Sequence, residues 1–190
     1  MADIWLMRHA AYQGHQTGHH AHPGAPLSDE GREQARHAAR SVPDGIVGIV
    51  TSTMPRARET AEILANHTSL PLVAALPIFA EWQAPSIVYG RGPGTYPERY
   101  TAWQARRREE PELRCGDGES LADLHARAMD GLTLLNATAR QGSLLLISHA
   151  LYLGVLTRLG NSAAVAFEDA ARDLWQFTET RVLTTLTAGN

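Results

Sequence analysis

Short apolar runs and helical repeats alternate along the chain. Residues 3–7 form an apolar strand candidate that delivers Arg8 and His9 to a loop, while 46–50 and 143–147 are continuous apolar runs bounded by turn residues. Runs of this kind suit strands buried on both faces. Between them, Ser28 offers an N-cap, and Ala35, Ala38, Ala39 and Val42 repeat at helical spacing up to Pro43. Pro55 opens a second helix with Met54, Ala57, Ala61 and Leu64 along one face. Ser120 with Asp123 makes a capping-box-like start to a helix reaching about 140, with Leu121, Leu124, Ala128, Leu132 and Leu135 inward. A shorter helix is expected over 151–159. Residues 72–79 follow Pro71 and contain Pro77, which confines them to an edge strand. Alternation of Leu174, Gln176 and Thr178 ahead of Val182 and Leu183 predicts a closing pair of strands. Residues 82–118, with Pro85, Gly90, Gly92, Pro93, Gly94, Pro97 and Pro111, read as an irregular, lid-like segment around a short helix at 100–108.

Strands alternating with helices predict the α/β class, a single three-layer domain over 1–190 with a mostly parallel central sheet and helices on both faces. Sites in such sheets lie beyond the carboxyl ends of the strands. With 190 residues, 44% of them hydrophobic, the chain can bury a core of one domain. A formal net charge of -3 with no basic surplus argues against a nucleic-acid partner. No apolar run approaches membrane-spanning length, and Met1-Ala2-Asp3-Ile4 lacks the start of a signal peptide, so a cytoplasmic location without membrane attachment is expected. All 17 basic side chains are arginine. Lysine Schiff-base chemistry and a P-loop lysine are thereby excluded, and an anion site must use guanidinium forks, backbone N–H groups or histidine. Cys115 is the only cysteine, so the chain forms no internal disulfide. A homodimer is left open.

Candidate chemistry gathers at three strand ends. His9 and His149 each follow directly on a hydrophobic strand candidate, and Ser52 with Arg56 follows the third. At these residues the chain resembles the histidine phosphatase superfamily, also called phosphoglycerate-mutase-like. Leu6-Met7-Arg8-His9-Ala10 resembles its Arg-His-Gly opening, and the segment from Pro26 to Ala35 is similar to its first-helix stretch. Thr51 to Ala61 resembles its Ser-x-x-x-Arg-Ala-x-Glu/Gln-Thr-Ala segment, Gly118-Glu119-Ser120 its Gly-Glu-Ser helix start, and Leu146 to Ala150 its second-histidine strand end. The ordered set covers nearly the whole chain.

The resemblance implies a phosphomonoesterase acting on a small phosphorylated substrate through a phosphohistidine on His9, with no metal or organic cofactor. Arg8, Arg56 and His149 would bind the phosphate, His149 as a clamp that is protonated when the dianion is bound. Glu81, in Phe79-Ala80-Glu81-Trp82, matches the place of the family's acid; Glu98 also lies in the irregular segment and stays open as an alternative. A mutase-like phosphotransferase, a phosphohistidine-protein phosphatase and a non-catalytic phosphate-binding scaffold are rival readings. The family pattern continues after its glycine with Thr or Ser and then Asn, whereas this chain has Ala10, Ala11, Tyr12 and His15. Tyr12 and His15, with Trp82, are therefore candidates for shaping a different substrate pocket. His15, His19, His20 and His22 invite a zinc reading, but their spacing matches no standard motif and an exposed loop is expected. The aromatic residues of 82–103 are either specificity residues or a hydrophobic cluster under a long loop. Arg58 and the Arg106 to Glu110 run are expected on solvated helix faces.

Overall fold

The computed structural model describes residues 2–173 and 175–183. Its centre is a five-stranded sheet in the order β3-β2-β4-β1-β5, built from β1 (Ile4–Arg8), β2 (Ile46–Ser52), β3 (Leu72–Leu76), β4 (Ser143–Ser148) and β5 (Thr180–Val182). The first four are mutually parallel, and β5 runs antiparallel on the β1 edge. Successive residues of a strand point to opposite faces, and here both faces are covered. Met7, Ile49, Leu145 and Ile147 pack under α1 (Asp29–Ala38) and α2 (Pro55–Thr68). Leu6, Val50, Leu144 and Leu146 pack on the other side against a core that includes α4 (Leu121–Thr138), α5 (Ala150–Leu156) and α6 (Ala163–Arg172). The continuous apolar runs of the sequence are the direct consequence of this two-sided burial.

Helix starts follow the local chemistry. The Ser28 hydroxyl accepts from the Gly31 N–H at 3.0 Å, and Ser120 with Asp123 forms a reciprocal capping box on α4. Pro77 ends β3 by turning the chain into a single 3-10 turn, Pro77–Phe79. Two expectations at the C-terminal end are corrected. Helix α6 was not anticipated, because its buried side chains are mostly alanines, Ala164, Ala166 and Ala170, whose apolar signal is faint beside Phe167; the preceding helix accordingly stops at Leu156 rather than 159. Of the expected closing pair, only Thr180–Val182 is a strand: Gln176 is irregular and Thr178 sits in a turn at φ 59°, while Leu174 lies outside the described residues.

The parallel register sets where the strands end. Met7, Ile147 and Thr51 lie level across three neighbouring strands, so Arg8, Ser148 and Ser52 form the next row. His9 and His149 come one residue later, and the His9 N–H donates to the Ser148 carbonyl at 2.9 Å. The loop leaving His9 is then locked down on α2 and α1. The Ala10 N–H donates to Thr60 Oγ1 (3.1 Å), the Ala11 N–H to Gln34 Oε1 (2.9 Å), and the Ser28 N–H to the Ala11 carbonyl (3.1 Å). Gly31 is what allows this approach, because a Cβ there would lie 1.8 Å from the Ala11 carbonyl oxygen. Gly31→Ala must push the loop away from α1; we expect a loss of about 1–3 kcal/mol, read from the urea denaturation midpoint, together with reduced anion affinity.

Candidate active site

Beyond the ends of β1, β4 and β2 lies a cavity of about 790 Å³ whose walls include Arg8, His9, Tyr12, Arg56, Glu81 and Trp82. The register of β1 and β4 brings the rings of His9 and His149 to 4.9 Å between centroids. Arg56, in the first turn of α2, is buried and turns its Nε–H onto His9 Nε2 at 3.1 Å. His9 Nδ1 faces the Ala10 carbonyl at 2.7 Å. A guanidinium nitrogen can only donate and a carbonyl can only accept, so the proton of His9 sits on Nδ1 and the lone pair on Nε2. That lone pair, nearest Arg56, is the atom an electrophile would meet.

Both histidines are held neutral. Burial pushes each well below its ordinary value of 6.5, and the Arg56 charge drives them the same way. His149 Nε2 lies 2.9 Å from Ser52 Oγ, and its Nδ1 is buried without a partner. Arg8 is fixed by stacking at 4.0 Å over the Phe177 ring and by donating from one terminal nitrogen to the Trp175 carbonyl, while its Nε is buried and unpartnered. Among the described residues neither Arg8 nor Arg56 forms an ion pair with a carboxylate. Two guanidinium groups that face a cavity without an ion-paired carboxylate have the chemistry to receive an anion.

Glu81 lies in the same cavity and Glu98 does not. Glu98 is exposed in the first turn of α3 (Glu98–Arg106). The Glu81 carboxylate accepts from three backbone N–H groups, those of Trp82 (2.9 Å), Tyr152 (2.9 Å) and Leu151 (3.2 Å), which span its own strand exit and the start of α5. Tyr12 is buried with its ring 5.1 Å from the Arg56 guanidinium carbon, and its hydroxyl pairs with Nδ1 of the exposed His15 at 3.0 Å. Tyr12 and His15 thus border the pocket from the loop where the chain departs from the family pattern.

A family model described as the histidine phosphatase superfamily (branch 1) matches residues 4–176. The chain belongs to this superfamily. It is similar to a probable phosphoglycerate mutase, GpmB, of Cronobacter sakazakii, 28% identical over 159 residues that span 82% of this chain and 73% of the relative. Among solved structures it shares its fold with the α-ribazole phosphatase of Shigella flexneri, at TM-score 0.70 and 22% identity over 87% of this chain and 84% of that one. It also shares it with a phosphoserine phosphatase of Entamoeba histolytica in complex with phosphoserine, at TM-score 0.75 and 16% identity over 96% and 90% of the two chains.

The other candidates of the sequence fall in distinct places. The four histidines of the loop after His9 diverge: His20 contacts Tyr100 Oη at 3.0 Å, the His22 ring meets Tyr89, and among the described residues no three His, Cys, Asp or Glu side chains are gathered as a metal site. The aromatic residues of 82–103 are mainly packing, since Trp82 stacks on Trp103 at 5.6 Å and Tyr100 and Trp103 are buried; only Trp82 and Tyr89 among them also face the cavity. Arg58 pairs with Glu62 on the exposed face of α2 as expected, whereas Arg107 is not fully solvated but lies over the Trp103 and Phe167 rings. Sequence reasoning missed Arg127 of α4. It joins Glu119 through two 2.7 Å contacts and also donates to the carbonyls of Ile78, Ala80 and Glu81. The available signal was a charged residue three positions after buried Leu124 and next to buried Ala128.

These neutral histidines make stability depend on pH with a definite sign. His9, His149 and His20, the last lowered to about 4, bind fewer protons folded than unfolded. Their contribution is complete above the unfolded value of 6.5 and is lost as pH falls below it. The urea midpoint should therefore drop between pH 7.5 and pH 5, and His20→Gln should flatten part of that slope.

Proposed function

We propose that this protein is a phosphomonoesterase that hydrolyses a small phosphate ester through a phosphohistidine on His9. The observation that carries the reading is the tautomer of His9. Its Nε2 lone pair accepts the Arg56 Nε–H in the cavity wall, and among the described residues neither Arg8 nor Arg56 forms an ion pair with a carboxylate. A phosphate dianion entering there would take over the Arg56 Nε–H, freeing the lone pair, while Arg8, Arg56 and His149 hold its equatorial oxygens. Nε2 then forms a bond to phosphorus as the ester P–O bond breaks, and the Ala10 carbonyl stabilises the Nδ1–H as positive charge develops on the ring.

Glu81 is the proton donor to the departing alkoxide in this scheme. In the ligand-free pocket its oxygens face the amides of α5, so protonating the leaving oxygen requires rotation of its side chain. In the second half-reaction the same carboxylate takes a proton from water, the water oxygen bonds to phosphorus, the N–P bond breaks, and His9 returns to its neutral form. Tyr12, His15 and Trp82 would contact the organic part of the ester. The similarity to a probable phosphoglycerate mutase keeps a phosphotransferase as the second reading, in which the phosphoryl group passes to a hydroxyl instead of water.

The test is to incubate wild type and His9→Ala with a panel of small phosphate esters and to follow phosphate release and an acid-labile phosphoenzyme. Wild type should turn over and show the phosphoenzyme, and His9→Ala should do neither; equal turnover by the two proteins overturns the nucleophile. Glu81→Gln should lower kcat/KM, which reports the phosphorylation step, by about 10²–10⁴ for poor leaving groups and much less for p-nitrophenyl phosphate, whose leaving group needs no proton, while hydrolysis of the phosphoenzyme slows for every substrate. Transfer to an added alcohol in place of water would favour the phosphotransferase.

A further inference from the structure

Positive charge is distributed very unevenly around the cavity. Three arginines line it, Arg8, Arg56 and Arg127. Among the described residues Arg8 donates only to the Trp175 carbonyl and keeps donors free at the strand ends, and Arg56, which gives its others to His9, to the His22 and Pro23 carbonyls and weakly to Met54 Sδ, keeps part of one terminal nitrogen free. Arg127 does not. A guanidinium carries five N–H donors. Those of Arg127 are all engaged: Nε and one from the second terminal nitrogen go to Glu119 at 2.7 Å each. Two from the first terminal nitrogen go to the Ile78 and Ala80 carbonyls at 2.9 and 2.8 Å, and the last reaches the Glu81 carbonyl at 3.3 Å. Its charge is matched by Glu119, which is itself largely buried. The lining also includes the carboxylate of Glu81 and the imidazoles of His15, His19 and His20, and its large apolar surfaces are Trp82, Tyr89, Met54, Pro77 and Leu151. Trp82 is held rigidly by its stack on Trp103 and by the Nε1–H donated to the Glu119 carbonyl at 2.8 Å.

We propose that this site selects phosphate monoesters whose organic part is uncharged and carries a ring, and rejects those bearing a second anionic group. The inference rests on the phosphatase reading and narrows it to a substrate class. The phosphate end satisfies one dianion. A carboxylate or second phosphate elsewhere in the cavity would leave water to find no free guanidinium among the described residues, and would face Glu119 and Glu81. A flat apolar ring instead finds the Trp82 and Tyr89 surfaces. Glu119 is the specificity-determining residue, because it silences the one cation outside the phosphate end.

The experiment compares primary alkyl phosphates, so that the leaving oxygens are chemically alike: 2-phenylethyl phosphate, glycerol 1-phosphate, 3-phosphoglycerate and O-phosphoserine, at pH 8 where a free imidazole is neutral. Wild type should favour 2-phenylethyl phosphate over 3-phosphoglycerate in kcat/KM by about tenfold or more. Binding of the same four esters to His9→Ala, measured by calorimetry, should follow the same order. Selective binding without wild-type turnover would defeat the phosphatase reading and leave the selectivity standing; equal or tighter binding of 3-phosphoglycerate or phosphoserine overturns the selectivity, whatever the turnover. Glu119→Gln keeps an acceptor for Arg127 but removes the matching charge, and should shift the kcat/KM ratio several-fold toward 3-phosphoglycerate. Tyr89→Ala should weaken 2-phenylethyl phosphate and spare glycerol 1-phosphate. An unchanged ratio in a folded Glu119→Gln protein overturns the role of that residue.

Discussion

Because β1 and β4 run parallel with Arg8 opposite Ser148, the residues that follow them, His9 and His149, must emerge side by side at one edge of the sheet. The backbone bond from His9 N–H to the Ser148 carbonyl extends that pairing one residue past the strand. β2, level with β4 at Thr51 and Ile147, brings Ser52 to His149 and starts α2 so that Arg56 reaches His9. A slip of one residue in either pairing would send these side chains to the opposite face of the sheet. The two-sided hydrophobic burial that forbids such a slip is therefore also what assembles the pocket.

Within that frame the site is an electrostatic arrangement of neutral bases and unpaired cations. Burial and the neighbouring guanidinium groups keep both imidazoles uncharged. Among the described residues the same arginines form no ion pair with a carboxylate, although the Glu81 charge across the cavity acts on both. Under the proposed function an anion would offset the cost of burying these guanidinium groups, so the cavity would be organised before its ligand arrives.

The surroundings limit what else can enter. The irregular segment is stitched to the loop after His9, through the Gly90 N–H to the His20 carbonyl, the His20 N–H to the Arg91 carbonyl, and His20 to Tyr100. Its aromatic side chains continue the main core beneath the cavity wall. On the other side, the Arg127–Glu119 pair ties α4 to the segment that carries Glu81. The walls are thus built from long-range contacts between a loop, a helix and an irregular stretch, each of which is unremarkable alone.

The strands, the main helices and the residues that the strand ends bring to the cavity were legible in the sequence, because strand burial, caps and strand-end histidines are local signals that survive without tertiary information. The family pattern added Glu81 by position. Helix α6 escaped because alanines pack by shape more than by hydrophobic contrast, and the stretch through Gln176 and Thr178 read as a strand because alternation alone does not reveal a turn. Only the tertiary structure separated Glu81 from Glu98, made His149 neutral, dispersed the loop histidines, and spent the charge of Arg127 on Glu119. The physical reason is common to all four: charge state and donor availability depend on which groups lie within a few ångströms, and that neighbourhood is made by segments far apart in the chain. The sequence by itself determined which chemical groups stand at the strand ends; folding decided which of them remain free to act.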